Sequence, residues 1–227
     1  MSIVVKCEEL KRVYEDDAYP VKALDGVSLE VHQGQFVSLA GPSGSGKSTL
    51  LNIIGGLDRS TSGRVSIGDT CLNDLDETEL SDLRLYKLGF IFQDYNLIPV
   101  LTARENVEFT MQLQTIDASE RSDRAMAMLK SLGLGELSNR RPGELSGGQQ
   151  QRVAIARAIV TDPEVLLADE PSANLDSKTT EELLELLVQL NQERGVTIVS
   201  ATHDPLVMRY ASRRINLVDG HIDSDDG

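Results

Sequence analysis

The sequence predicts an α/β chain: a mostly parallel sheet round a glycine-rich loop, with an antiparallel β portion near the N-terminus and an inserted helical subdomain. Three observations predict it. Short apolar runs alternate with helical patterns. A glycine-rich loop joins one such run to a helix, and the stretch from about 95 to 158 lacks strong strands. Residues 1–227 read as one domain, without internal repeat or low-complexity linker.

Taken in order, Val27–Val31 alternates apolar and polar residues as a half-buried antiparallel strand does, and so does Gly63–Ile67. Between them, Gln35–Ala40 is an apolar run that stops at Gly41-Pro42-Ser43-Gly44, after which Leu50, Leu51 and Ile54 recur at helical spacing. That order is strand, loop, helix. Gly89-Phe90-Ile91-Phe92 is a further short run, with Gln93 at its end. From about Thr102 to Ala158 the pattern is mostly helical. Val165–Ala168 and Val196–Ser200 then read as buried strands. Ser177 is placed to cap the helix between them, which carries Leu183, Leu184, Leu187 and Leu190 on one face and stops at Gly195.

The chain has 227 residues, 40% of them hydrophobic, enough for a substantial core. No stretch approaches the roughly 18 apolar residues that span a bilayer, and the start at Met1 lacks a leader pattern, so the expected location is the cytoplasm. A formal charge of -14 argues against non-specific attraction to nucleic acid or anionic lipid. Acidic residues gather at Glu15-Asp16-Asp17, Asp74–Asp82, Glu181–Glu185 and Asp223–Asp226, which read as solvated surface. Cys7 and Cys71 have no metal-like spacing and are assigned no chemistry.

The chemistry begins with Gly41-Pro42-Ser43-Gly44-Ser45-Gly46-Lys47-Ser48, followed by Thr49, a complete phosphate loop in the strand-loop-helix context it requires. Glycines let backbone N–H groups curl round phosphate oxygens, Lys47 reaches the β- and γ-phosphates, and Ser48 can ligate Mg²⁺. Asp169 ends a buried strand and is the natural second holder of the metal. Glu170 follows it, placed to accept a proton from attacking water. His203 ends the next strand, at the same edge of the sheet. Gln93 and His203 alone say little. Their place in the set is what raises them.

Leu145-Ser146-Gly147-Gly148-Gln149, continuing through Gln150-Gln151-Arg152 to Arg157-Ala158, lies between that loop and Leu166–Pro171, with Asn174-Leu175-Asp176 and His203 after it. This ordered set resembles the ABC transporter ATPases over essentially the whole chain. The resemblance implies an ABC ATPase fold, ATP and Mg²⁺ as ligands, and two subunits packed head to tail round two ATP molecules. Ser146, Gly147, Gly148 and Gln149 of one subunit would then face nucleotide held by Lys47 of the other. It further implies that Gln93 senses metal and attacking water, that His203 acts on the γ-phosphate and that Asp176 communicates across the dimer. Tyr14 would stack on adenine, with Tyr19 a nearby competitor.

Within the family, Phe92–Pro99, Glu105-Asn106-Val107 and Pro171–Asp176 look most like the branch serving lipoprotein release, macrolide and peptide export, and related cell-division complexes. Ala173 departs from that branch, which usually carries glycine there. The implied partners are a second copy of the chain and integral membrane permease subunits docked near Gln93–Glu105, on the inner face of the membrane. No nucleic-acid partner is expected. Two other readings use the same motor: an ATPase that regulates cell-envelope enzymes through membrane subunits, and a soluble ATPase acting on nucleic acid or ribosomes. A P-loop kinase leaves the LSGGQ run without a task.

Overall fold

The computed structural model describes residues 2–15 and 19–227; Met1 and, of the first acidic group, Asp16 and Asp17 lie outside them. Its elements are β1 (Ile3–Tyr14), β2 (Val21–His32), β3 (Phe36–Ala40), α1 (Lys47–Ile54), β4 (Ser62–Ile67), β5 (Thr70–Cys71), α2 (Glu77–Lys87) and β6 (Leu88–Ile91). After these come α3 (Ala103–Leu113), α4 (Ala118–Ser131), α5 (Gly147–Ile159), β7 (Val165–Asp169), α6 (Ser177–Arg194), β8 (Thr197–Ala201), α7 (Pro205–Tyr210), β9 (Arg213–Val218) and β10 (His221–Asp226).

The larger sheet has the order β10-β9-β3-β8-β7-β6. Strands β9, β3, β8, β7 and β6 run parallel, and β10 closes one edge antiparallel to β9. Every residue of β3 and β8 is buried, as the continuous apolar runs require of strands covered on both faces. The pairings Leu39 with Ala201, Ala201 with Asp169, and Ala168 with Ile91 align the ends of four strands. The residues that follow those ends therefore share one edge, where open parallel sheets place their ligands.

The smaller sheet is antiparallel, in the order β2-β1-β4-β5. Val27–Val31 and Gly63–Ile67 are strands within β2 and β4, yet they do not pair with each other; β1 lies between them. β1 escapes pattern reading because its register shifts between Cys7 and Leu10, with Glu9 at φ 48°, so its period of two breaks midway. Leu10, Leu24, Val31, Leu50, Ile54 and Ile67 fill the core between this sheet, α1 and the larger sheet.

Between β6 and β7 the described residues form α3, α4 and α5 and no strand. Val107, Met111, Leu129, Val153 and Ile155 are fully buried there, in a cluster continuous with α6 and the other face of the sheet. One expectation needs correction and one needs an addition. The cap of α6 is Asp176, not Ser177: its carboxylate accepts from the N–H groups of Lys178 and Thr179 at 3.1 Å each, which an aspartate reaches without spending a helical residue. The acidic run 223–226 is exposed, as the sequence suggests, but its solvated acids stand on a strand, β10, and pair Asp225 with Arg213 and Asp226 with Arg214, which the sequence did not indicate. No described helix is long and apolar enough to cross a membrane.

Candidate active site

The loop between β3 and α1 turns on glycines with positive φ, +80° at Gly44 and +100° at Gly46. A side chain at Gly46 would overlap the Ala23 carbonyl, so β2 forms the floor of the loop. Lys47 is buried at 7% exposure and its Nζ donates to Gly41 O and Pro42 O, both at 2.8 Å. The ammonium is thus held over its own loop. Ser45 Oγ is buried there and has no hydrogen-bond partner among the described residues. A cleft of about 810 Å³ opens at this point, lined by Pro42, Ser43, Gly44, Gly46, Lys47, Ser48 and Thr49 and by Gln93, Glu170 and His203.

Ser48 Oγ donates to Asp169 Oδ1 at 3.0 Å, across 121 residues of sequence. Burial and, after it, the charge of Glu170 raise the Asp169 carboxyl above its ordinary range, while the Ser48 hydrogen bond and Lys47 act in the opposite sense. Glu170 adopts φ 46°, a conformation that costs a side-chain-bearing residue about 1–3 kcal/mol. Its N–H is bonded to Ala201 O at 2.9 Å, which ties the turn to β8. The carboxylate meets His203 Nδ1 at 2.7 Å and accepts from Thr202 Oγ1 at 3.3 Å and His203 N–H at 3.4 Å. An ionised carboxylate only accepts, so Nδ1 carries the hydrogen in this contact and Nε2 is left for another partner.

Gln93 is exposed at the end of β6, and its carbonyl accepts from Asn174 Nδ2 at 3.0 Å. Tyr14 lies apart from the cleft's lining, but it pairs with Val21, which lines it. The Tyr14 hydroxyl donates to Asp58 Oδ2 at 2.7 Å, and Arg12 covers one ring face at 4.3 Å. Tyr19 is 81% exposed.

None of Ser146, Gly147, Gly148 and Gln149 lines the cleft. They form the first turn of α5, where Ser146 Oγ accepts from Gln149 N–H at 3.3 Å and Gln149 Oε1 accepts from Ser146 N–H at 2.9 Å. This reciprocal cap has the sequence form S-x-x-Q, the spacing of a capping box. Gly148 packs on Thr179, whose Oγ1 donates to Asp176 Oδ2 at 2.6 Å, so the LSGGQ run and the start of α6 adjoin. That bond and the capped N–H groups hold the Asp176 carboxyl below its usual range.

A phosphate loop, two adjacent strand-end carboxylates and an outlying helix cap are now in place on one scaffold, and the ABC transporter family matches this chain over residues 24–173. The chain belongs to that family. It is similar to an uncharacterized ABC transporter ATP-binding protein of Methanocaldococcus jannaschii, 47% identical over 98% of this chain and 97% of that protein. The lipoprotein-releasing system ATP-binding protein LolD of Geobacter metallireducens is 42% identical over 99% of this chain and 100% of its own length. The macrolide export ATP-binding/permease protein MacB of Hyphomonas neptunium is 48% identical over 99% of this chain, which spans only 35% of that relative. A solved dimeric ATP-binding cassette in a post-hydrolysis state with ADP and Pi aligns with a TM-score of 0.90 and 47% identity over 97% of both chains. Like its family, this ABC cassette is an ATPase with the α/β architecture described above.

Sequence reasoning missed several contributors to the site. Thr202 on Glu170 and Arg12 on Tyr14 carry no motif, and Asn174 belongs to the motif set without any local sign that it bonds Gln93. Arg157 did carry a signal, a lone charge within the apolar run Val153–Ile159.

Proposed function

We propose that this ABC ATPase hydrolyses MgATP between two head-to-tail subunits and drives membrane permease domains, on the cytoplasmic face, in the export or extraction of lipoprotein, peptide or drug-like cargo. The observation that carries the catalytic part is the Glu170 carboxylate, oriented by His203 Nδ1 at 2.7 Å beside the Ser48–Asp169 pair. Glu170 takes a proton from water as the water oxygen bonds to the γ-phosphorus and the bridging P–O bond breaks, leaving ADP and inorganic phosphate. His203 holds the base in position and keeps Nε2 for the γ-phosphate. Lys47 exchanges its two carbonyl partners for phosphate oxygens.

Ser48 Oγ and Asp169 Oδ1 are hard oxygen donors 3.0 Å apart, with Gln93 on the same cleft. That donor set fits Mg²⁺, which takes one or two protein oxygens and completes its shell with phosphate and water. Bound there, the ion would neutralise charge on the phosphate oxygens.

The cleft includes no residue of the LSGGQ run, and the similar solved cassette is dimeric, which together support supply of that run by a second subunit. The relatives named for macrolide export and lipoprotein release support the cargo class and a permease partner; its docking near Gln93–Glu105 rests on the family resemblance alone. The central test is Glu170→Gln. Steady ATP turnover is expected to fall by at least 100-fold, an effect of the size general-base loss produces, with ATP then trapping dimers in gel filtration. Full turnover in that variant would remove Glu170 from the chemistry.

A further inference from the structure

Helix α5 begins with the LSGGQ turn and reaches Arg157 about 15 Å further along its axis, at 1.5 Å per residue. The neighbours of Arg157 in sequence, Ala156 and Ala158, are buried, and among the described residues no carboxylate pairs with its guanidinium. Burial holds its pKa below the ordinary arginine range. Its bonds go to main chain instead: Nη1 to Asn96 O at 2.5 Å and Nη2 to Tyr95 O at 3.0 Å.

Those two carbonyls belong to consecutive residues in left-handed backbone, with φ 60° at Tyr95 and 49° at Asn96. Asparagine tolerates that region, whereas a bulky tyrosine does not enter it unaided. The loop is the one that begins at Gln93. It also reaches the first turn of α5, since a side chain at Gly147 would stand 2.9 Å from Tyr95 Oη. If packing were the only need, an apolar side chain would fill this position without desolvating a charge. A planar fork that grips two successive carbonyls does something else. It fixes the orientation of the turn that contains them.

We propose that Arg157 is a positioning residue for the nucleotide site: it clamps residues 93–96 in their strained turn and makes Gln93 move with α5, the helix whose first turn carries Ser146–Gly148. The catalytic consequence rests on the role given to Gln93 above; the clamp itself does not. One helix then joins the turn offered to a partner's nucleotide to the loop serving its own. Capture of phosphate at the first is conveyed to the second through Arg157.

The test compares Arg157→Gln, Arg157→Lys, Gln93→Ala and the Arg157→Gln/Gln93→Ala double variant of the full chain. Hydrogen–deuterium exchange at amides 94–97 is expected to quicken at least tenfold in Arg157→Gln, with α5 amides still protected. Turnover is expected to fall about tenfold while KM for ATP stays within twofold. Arg157→Lys should recover part of both, because one ammonium cannot span two carbonyls as the fork does. In the Gln93→Ala background, Arg157→Gln should lower turnover less than threefold further, since both act through one group.

Unchanged exchange at 94–97 in a folded Arg157→Gln protein overturns the clamp, and fully multiplicative losses in the double variant overturn its action through Gln93. If Gln93→Ala turns over at the wild-type rate, the role of Gln93 fails, and the exchange result still decides the clamp. Should Arg157→Gln not fold, Arg157→Lys provides the same exchange comparison.

Discussion

Alanine in place of Gly46 imposes two separate penalties on the phosphate loop. The first is conformational: at φ +100° a side-chain-bearing residue loses about 1–2 kcal/mol. The second is steric, because the new Cβ would overlap Ala23 O and stand 2.9 Å from Leu24 Cδ2, inside the 3.0 Å that Cβ contacts respect. Ala23 has no room to retreat. Leu24 is fully buried beside it, and the Asp25 N–H is bonded to Gly220 O at 3.0 Å. Overpacking of this kind costs roughly 1–3 kcal/mol, so the variant should lose about 2–5 kcal/mol in all. Gly44→Ala is the internal control, for its φ is +80° but among the described residues nothing lies within 4 Å of the added carbon. It bears the conformational penalty alone. Urea denaturation should therefore order the midpoints wild type, Gly44→Ala, Gly46→Ala with unchanged slopes, the stabilities of the last two differing by about 1–3 kcal/mol. Equal midpoints for the two variants would refute the claim that β2 is the rigid floor of the loop.

Two further outcomes are expected. Tyr14→Ala should raise KM for ATP roughly threefold to tenfold, the size of one aromatic contact, whereas Tyr14→Phe loses the Asp58 bond, keeps the ring and should stay within twofold; an unchanged KM in Tyr14→Ala removes Tyr14 from adenine recognition. Hydrogen bonds from Arg213, and then its charge, hold the Asp225 carboxyl below its ordinary range, so its contribution is present above an unfolded value of about 3.9 and is lost as pH falls through the folded one. Urea midpoints of Asp225→Asn should accordingly fall less steeply than wild type below about pH 4, and parallel acid limbs would dismiss the pair as a source of stability.

What the sequence disclosed follows from where each signal originates. Strands such as β3 and β8 are buried on both faces, so burial wrote itself into unbroken apolar runs. The phosphate loop was legible because glycine is demanded by backbone geometry at Gly44 and Gly46 and no other residue substitutes freely. β1 stayed hidden because its bulge breaks the alternation by which half-buried strands are recognised. The acids of β10 are exposed as their composition suggests, but their arginine partners enter from the neighbouring strand, and pairing across strands leaves no local pattern. The same limit applies within the site. Ser48 with Asp169, and His203 with Glu170, are contacts over 121 and 33 residues, and only the fold brings their atoms together.

The cap at α5 narrows how the LSGGQ turn could hold an anion. Ser146 Oγ already accepts from the Gln149 N–H, and Gln149 Oε1 is engaged with the Ser146 N–H. What the turn still offers is the hydroxyl hydrogen of Ser146 and the first N–H groups of the helix at Gly147 and Gly148, all of them donors. On the proposed shared site, the part this cap gives to Gln149 is to orient Ser146 while adding no charge of its own. Gln149→Glu separates those two properties. Glutamate keeps the reach of the cap and complements the helix dipole by about 0.3–1 kcal/mol, so the melting temperature should hold or rise. It also places a full negative charge within one turn of the incoming phosphate. ATP-driven dimerisation, read by gel filtration in the Glu170→Gln background, should then need roughly tenfold more ATP, less so at high salt. Gln149→Ala should do the reverse, lowering the melting temperature while disturbing dimerisation less. A Gln149→Glu protein that dimerises at the wild-type ATP concentration would mean that no anion approaches the first turn of α5, and with that the shared active site would lose its second half.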